Sequence, residues 1–145
     1  MTEPAPRLRR LTDVSARPRR RSRVLIVDDS WDAREIYALY FRDRGYDAMT
    51  ASDGDAGIES AIKANPDVIV MDLAMPKVSG ISAAHQLKND PRTRKIPIIL
   101  LTGHGHRAVD EGLFKMGIDV FLTKPCLPED LEGHVRRLLD GRQST

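Results

Sequence analysis

Three stretches of this chain are almost continuously apolar and rich in β-branched residues: RVLIVD at 23–28, DVIVMD at 67–72 and IPIILLT at 96–102. Runs of that kind mark strands buried on both faces of a parallel sheet. Between them the period lengthens to that of a helix. Ala33, Ile36, Tyr37, Tyr40 and Phe41 share one helical face, which Gly45 terminates. Ile58, Ala61 and Ile62 share a second, after a start signal at Ser52 with Asp55 three residues on, and before a stop at Asn65 and Pro66. Ser79 caps a third helix carrying Ile81, Ala84 and Leu87, closed by Asp90 and Pro91. Shorter strands are predicted at 46–51 and 119–122, and a helix over about 107–116. A last helix opens at Pro128, with Glu129 and Asp130 in its first turn, Arg136 and Arg137 in its last and Gly141 just beyond, as the helix dipole favours.

The pattern is five strand–helix units in strict alternation. Short connections between such units imply an α/β fold, a parallel sheet wrapped by helices on both faces and joined by right-handed crossovers. With 145 residues, 41% hydrophobic and 30% charged, the expectation is one domain over 23–141, large enough to bury a core, followed by a short tail at 142–145. Residues 1–22 differ in kind. They hold seven arginines against Glu3 and Asp13, a net +5, which leaves −3 on the rest of a chain whose total is +2. Three prolines and no apolar period predict a disordered basic tail, of a kind that steers towards nucleic acid, anionic lipid or an acidic partner, although it has no aromatics for base stacking. The lone cysteine, Cys126, excludes an internal disulfide and suits a reducing compartment. No run approaches the ~18 apolar residues of a membrane span, and the Arg-rich start lacks the core of a signal peptide. A cytoplasmic location without membrane insertion is therefore expected.

Candidate chemistry collects at one place in this topology. The first long strand ends in Asp28 and Asp29, the second in Asp72 and the third in Thr102, and Lys124 and Pro125 follow the last strand. All stand at carboxyl ends of parallel strands, the edge along which open α/β sheets bind ligands. Each has a plainer reading alone: an aspartate caps a turn, a threonine forms strand, a lysine is a solvated charge. Together they pose an electrostatic problem. Two carboxylates about 4 Å apart repel by roughly 4 kcal/mol at an effective dielectric near 20, so three need a cation among them. Hard oxygen donors with room for water and phosphate suit Mg²⁺. His104 and His106 lack partners at zinc spacing. With a cation in place one carboxylate can attack phosphorus, Lys124 can neutralise the phosphoryl oxygens, and Thr102 can donate a hydroxyl hydrogen bond to them. Asp72, which stands singly on the central strand, is the best nucleophile.

Over 23–141 the chain resembles the receiver domain of two-component response regulators. The resemblance rests on VLIVDDS, VIVMDLAMP, IILLT and FLTKP, with 30 residues from Asp72 to Thr102 and 52 from Asp72 to Lys124. It implies a flavodoxin-like doubly wound sheet of order 2-1-3-4-5 and a phosphoryl group accepted on Asp72 from a sensor histidine kinase or histidine phosphotransfer protein. It further implies Mg²⁺ held by Asp28, Asp29, Asp72 and the Ala74 backbone carbonyl, switching through Thr102 and Phe121, and a cis Lys124–Pro125 bond. Pairing into homodimers is also known in the family. Three positions depart from its habit: Gly103 replaces a common alanine, Cys126 a large apolar residue, and Phe121 a frequent tyrosine.

Three functions compete. One is a stand-alone receiver, with no room for an output domain after Gly141, signalling to a downstream protein target or acting as a relay intermediate or phosphate sink. Another is an aspartyl-phosphate phosphatase, which wants an acid two residues after its nucleophile, where Ala74 stands. The third is a nucleic-acid-associated regulator working through the basic tail. The switch itself is expected between Thr102 and Met116, where Gly103, Gly105 and Gly112 weaken local structure.

Overall fold

The computed structural model describes residues 21–75, 78–103 and 116–143. Its strands, β1 (Arg23–Val27), β2 (Asp47–Ala51), β3 (Val68–Asp72), β4 (Ile98–Thr102) and β5 (Val120–Thr123), form one parallel sheet in the order β2-β1-β3-β4-β5. Four helices are described: α1 (Trp31–Asp43), α2 (Gly54–Ala64), α3 (Gly80–Lys88) and α4 (Pro128–Gln143).

Alternate residues of each inner strand feed two separate cores. Leu25, Val27, Ile69, Met71, Ile98 and Leu100 pack towards Ala61 of α2 and Ala84 and Leu87 of α3. Val24, Ile26, Val68, Val70, Ile99 and Leu101 pack towards Tyr37 and Phe41 of α1 and Leu131 and Val135 of α4. These twelve residues are at most 1% exposed, so neither face of the three inner strands meets water. That double burial is why the strands read as unbroken apolar runs instead of alternating ones.

Several boundaries differ from the sequence reading, each for a local reason. Tyr46 belongs to the turn after α1, because its N–H bonds to the Phe41 carbonyl at 3.0 Å, so β2 starts one residue later. Pro97 has no N–H to give, and β4 starts after it. The last strand is displaced one residue towards Lys124. Asp53, not Ser52, caps α2, its carboxylate accepting from the Ala56 N–H at 2.8 Å. In α1 the buried arc is Tyr37, Ala38 and Phe41, and Ile36 is 58% exposed. Small Ala38 lets the helix sit close to the sheet, which rotates the buried stripe away from Ile36. Gly141 does not end α4, which runs on to Gln143; a glycine in a last exposed turn costs only about 1 kcal/mol relative to alanine. The predicted tail over 1–20, the helix over about 107–116 up to residue 115, and the last two residues lie outside the described residues.

One close approach bears directly on Asp72. Gly80, the first residue of α3, donates its N–H to the Leu73 carbonyl at 2.9 Å. A Cβ there would run into the Asp72 carbonyl oxygen and come within 2.7 Å of the Leu73 Cα. Both obstacles are backbone and cannot swing aside. Gly80→Ala is therefore expected to cost about 1–3 kcal/mol of stability, as overpacked sites do, measurable by urea unfolding. A variant as stable as the parent would show that the Asp72–Leu73 turn can move freely.

Candidate functional site

Strand register builds the site. Val27 pairs with Met71, Asp72 with Leu101, and Thr102 with Thr123. The residues that end or follow these strands, Asp28, Asp72, Thr102 and Lys124, are therefore brought to the same sheet edge. Carboxylate oxygens of Asp28, Asp29 and Asp72 lie within 4.8 Å of one another, the one such cluster among the described residues.

Each member is held differently. Asp28 is buried; its Oδ1 accepts from the Ser30 N–H at 2.9 Å and its backbone carbonyl from the Arg34 guanidinium at 2.8 Å. Ser30 also caps α1, its hydroxyl accepting from the Ala33 N–H, so one short turn fixes both the carboxylate and the helix start. Asp29 is exposed, at the solvent side of the cluster. Asp72 is buried at the end of the central strand, with the Ala74 N–H donating to its carboxylate. Ala74 itself is exposed. Lys124 Nζ sits 3.3 Å from Asp28 Oδ2 and 3.4 Å from Asp72 Oδ1, bridging the two buried carboxylates. Its backbone N–H bonds to the Thr102 carbonyl at 2.7 Å, and the Lys124–Pro125 peptide bond is cis.

Burial pushes the Asp72 carboxyl above its ordinary range; the Lys124 ammonium pulls it down and the Asp28 charge pushes it up, and the net direction is upward. For Lys124, burial alone would lower the ammonium, but attraction to Asp28 and Asp72 outweighs it and the net shift is also upward. The site is thus short of positive charge: one partly exposed lysine faces a crowd of carboxylates. All donors in the cluster are hard oxygens, the set that suits a small divalent cation rather than a soft metal.

Thr102 is buried, and its hydroxyl donates to the Gly103 carbonyl at 3.3 Å. Phe121 is half-buried against the core between the sheet and helices α2 and α3. His104, His106 and most of the predicted switch, residues 104–115, lie outside the described residues. Sequence reasoning passed over Ser30, Arg34 and Tyr37. Ser30 had a legible signal, a capping residue directly after two aspartates. Arg34 and Tyr37 bond to backbone carbonyls, which no sequence spacing advertises.

The sequence pattern of the response regulator receiver domain matches residues 24–136. The chain belongs to that family. Receiver domains are phosphoacceptor signalling domains rather than enzymes acting on an external substrate. The DNA-binding dual master transcriptional regulator RpaA of Synechocystis is 37% identical over 117 residues, which is 81% of this chain and 48% of that protein. The chain spans about half the length of the curated relatives it matches. Among solved structures, the chemotaxis protein CheY4 of Vibrio cholerae superposes with a TM-score of 0.77 at 30% identity, covering 82% of this chain and 99% of that chain. The receiver domain of a sensor histidine kinase from Pseudomonas aeruginosa, determined with a magnesium ion coordinated in its active site cleft, superposes with a TM-score of 0.75 at 26% identity, covering 83% and 99%. Among the described residues no helix is long and apolar enough to cross a membrane.

Proposed function

We propose that this receiver accepts a phosphoryl group on Asp72 in a Mg²⁺-dependent reaction and signals by binding a protein partner differently once phosphorylated. The observation that carries the reading is the placement of Asp72. It is a buried carboxylate at the end of the central strand, with an ammonium 3.4 Å away and two further carboxylates within 4.8 Å.

An oxygen of Asp72 attacks phosphorus of a phosphohistidine on a sensor histidine kinase or phosphotransfer protein. The bond from phosphorus to the imidazole nitrogen breaks, the imidazole takes up a proton from solvent, and an acyl phosphate forms on Asp72. Asp28, Asp29, Asp72 and the Ala74 carbonyl are the groups that would hold Mg²⁺, consistent with the magnesium ion in the Pseudomonas relative. When bound, Mg²⁺ supplies the positive charge that the carboxylates and the phosphoryl oxygens require. Lys124, already between Asp28 and Asp72, adds an ammonium on the phosphoryl oxygens. The Thr102 hydroxyl turns from the Gly103 carbonyl towards the new phosphoryl group, and the Phe121 ring moves into the space behind it.

Metal binding tests the acidic cluster separately from chemistry. At roughly 100 times its Kd, a ligand specific for the folded state adds about 2.7 kcal/mol of stability. Mg²⁺ is expected to raise the midpoint of thermal unfolding accordingly. Asp29→Ala should lose most of that rise while unfolding normally without metal, because Asp29 is exposed. An equal Mg²⁺ effect on parent and variant would remove Asp29 from the site.

A further inference from the structure

We infer that Tyr37 is a positioning residue for Lys124, its hydroxyl strapping helix α1 to the turn that carries the lysine. The inference deepens the proposed function and rests on that reading for its rate prediction.

Lys124 does its work from an awkward place. The turn from Thr123 to Leu127 is largely exposed, and the lysine side chain is a flexible stem, yet its ammonium must stay within reach of both Asp28 and Asp72. Bonds from both sides flank the lysine. On the sheet side the Lys124 N–H bonds to the Thr102 carbonyl at 2.7 Å. On the opposite side of the lysine, the Tyr37 hydroxyl donates to the Cys126 carbonyl, also at 2.7 Å, across 89 residues of sequence. Removing that second bond leaves the carboxyl side of the turn without this anchor.

Tyr37 is itself rigidly set. It is buried in the core between α1 and the sheet, against which Cys126 also packs, and its hydroxyl reaches the turn. Arg34, three residues earlier and so on the same side of the helix, holds the Asp28 carbonyl at 2.8 Å. A single face of α1 therefore braces the acidic turn after β1 and the lysine turn after β5 against each other. A phenylalanine would fill the core as well as the tyrosine does, so the hydroxyl is the part with a separate role. Burial, reinforced by Cys126, Asp28 and Asp72, pushes that hydroxyl up to about 12, so it stays protonated and donating across the neutral range.

The test is Tyr37→Phe, alone and combined with Lys124→Met. Phosphorylation from a small acyl phosphate in Mg²⁺ should slow about fivefold in the single variant, the size of one net hydrogen bond. In the Lys124→Met background the same change should have no further effect, because a residue acting through the lysine has nothing left to position. An equal slowing in both backgrounds, or no slowing in either, overturns the inference. Amide hydrogen exchange in metal-free, unphosphorylated protein gives a readout independent of phosphoryl transfer. Exchange at Lys124, whose N–H is bonded to the Thr102 carbonyl, should quicken by about fivefold while β1 and β3 stay protected. If the parent protein takes no label at all, the proposed function fails, and unchanged exchange at the turn would overturn the role of Tyr37 by itself.

Discussion

Asp72→Asn should abolish phosphoryl labelling and at the same time make the metal-free protein more stable at neutral pH. Loss of labelling follows because an amide oxygen cannot form the acyl phosphate. The gain in stability follows from the direction of the Asp72 shift, which is upward, with burial as its largest cause. A carboxyl whose folded value is raised holds its proton more tightly in the native state than in the unfolded chain. Its contribution is therefore most favourable at low pH and is lost as pH rises from the ordinary carboxylate range through the raised folded value. Above that window the ionised Asp72 is a net burden, and a neutral isostere relieves it. Chemical denaturation of parent and variant at neutral pH and again below the carboxylate range measures this. The variant's advantage should be present in the first case and disappear in the second. A variant less stable than the parent at neutral pH would mean that the attraction of Lys124 outweighs burial.

Lys124→Met should act in the opposite sense on stability. Methionine keeps much of the aliphatic stem but removes the charge lying 3.3 Å from Asp28 and 3.4 Å from Asp72. Two buried carboxylates are then left facing each other without the cation that bridges them. Because the ammonium is partly exposed, solvent screening limits the loss to about 1–3 kcal/mol in metal-free buffer, below the range for fully buried pairs. Added Mg²⁺ should restore most of it. Labelling is a different matter. Withdrawal of one preorganised positive group from developing charge typically slows a reaction by about 10²–10³, and Mg²⁺ should not recover that loss. Stability that stays low in saturating Mg²⁺, or labelling within twofold of the parent, would show that the lysine serves the turn rather than the phosphoryl group.

Much of this site was legible because of one geometric fact. In a parallel sheet every strand presents its carboxyl end at the same edge, so the residues that close apolar runs are neighbours without any further information. Asp28, Asp72 and Thr102 needed only their strands to be recognised, and the register of β1, β3 and β4 places them accordingly. Lys124 was legible for the same reason, although β5 lies one residue further along than its apolar run suggests.

The less legible features involve side chains that bond to backbone. Tyr37 to the Cys126 carbonyl and Arg34 to the Asp28 carbonyl leave no compositional trace, since any residue supplies a carbonyl. Helix rotation was hard for a related reason. Ile36 fits the apolar face of α1 by spacing, but the close packing permitted by Ala38 decides which side turns inward. Gly141 misled because glycine stops a helix only when the chain adopts a left-handed conformation there, as at Gly45 with φ +93°.

The most direct measurement is the position of the phosphoryl group itself. Protein incubated with Mg²⁺ and a small acyl phosphate, trapped by borohydride reduction and digested, can be read residue by residue by tandem mass spectrometry. Modification is expected at Asp72 alone, and none when the divalent cation is chelated. A modified Asp28 or Asp29 in place of Asp72, or undiminished modification without the metal, would contradict the phosphoacceptor reading of this site.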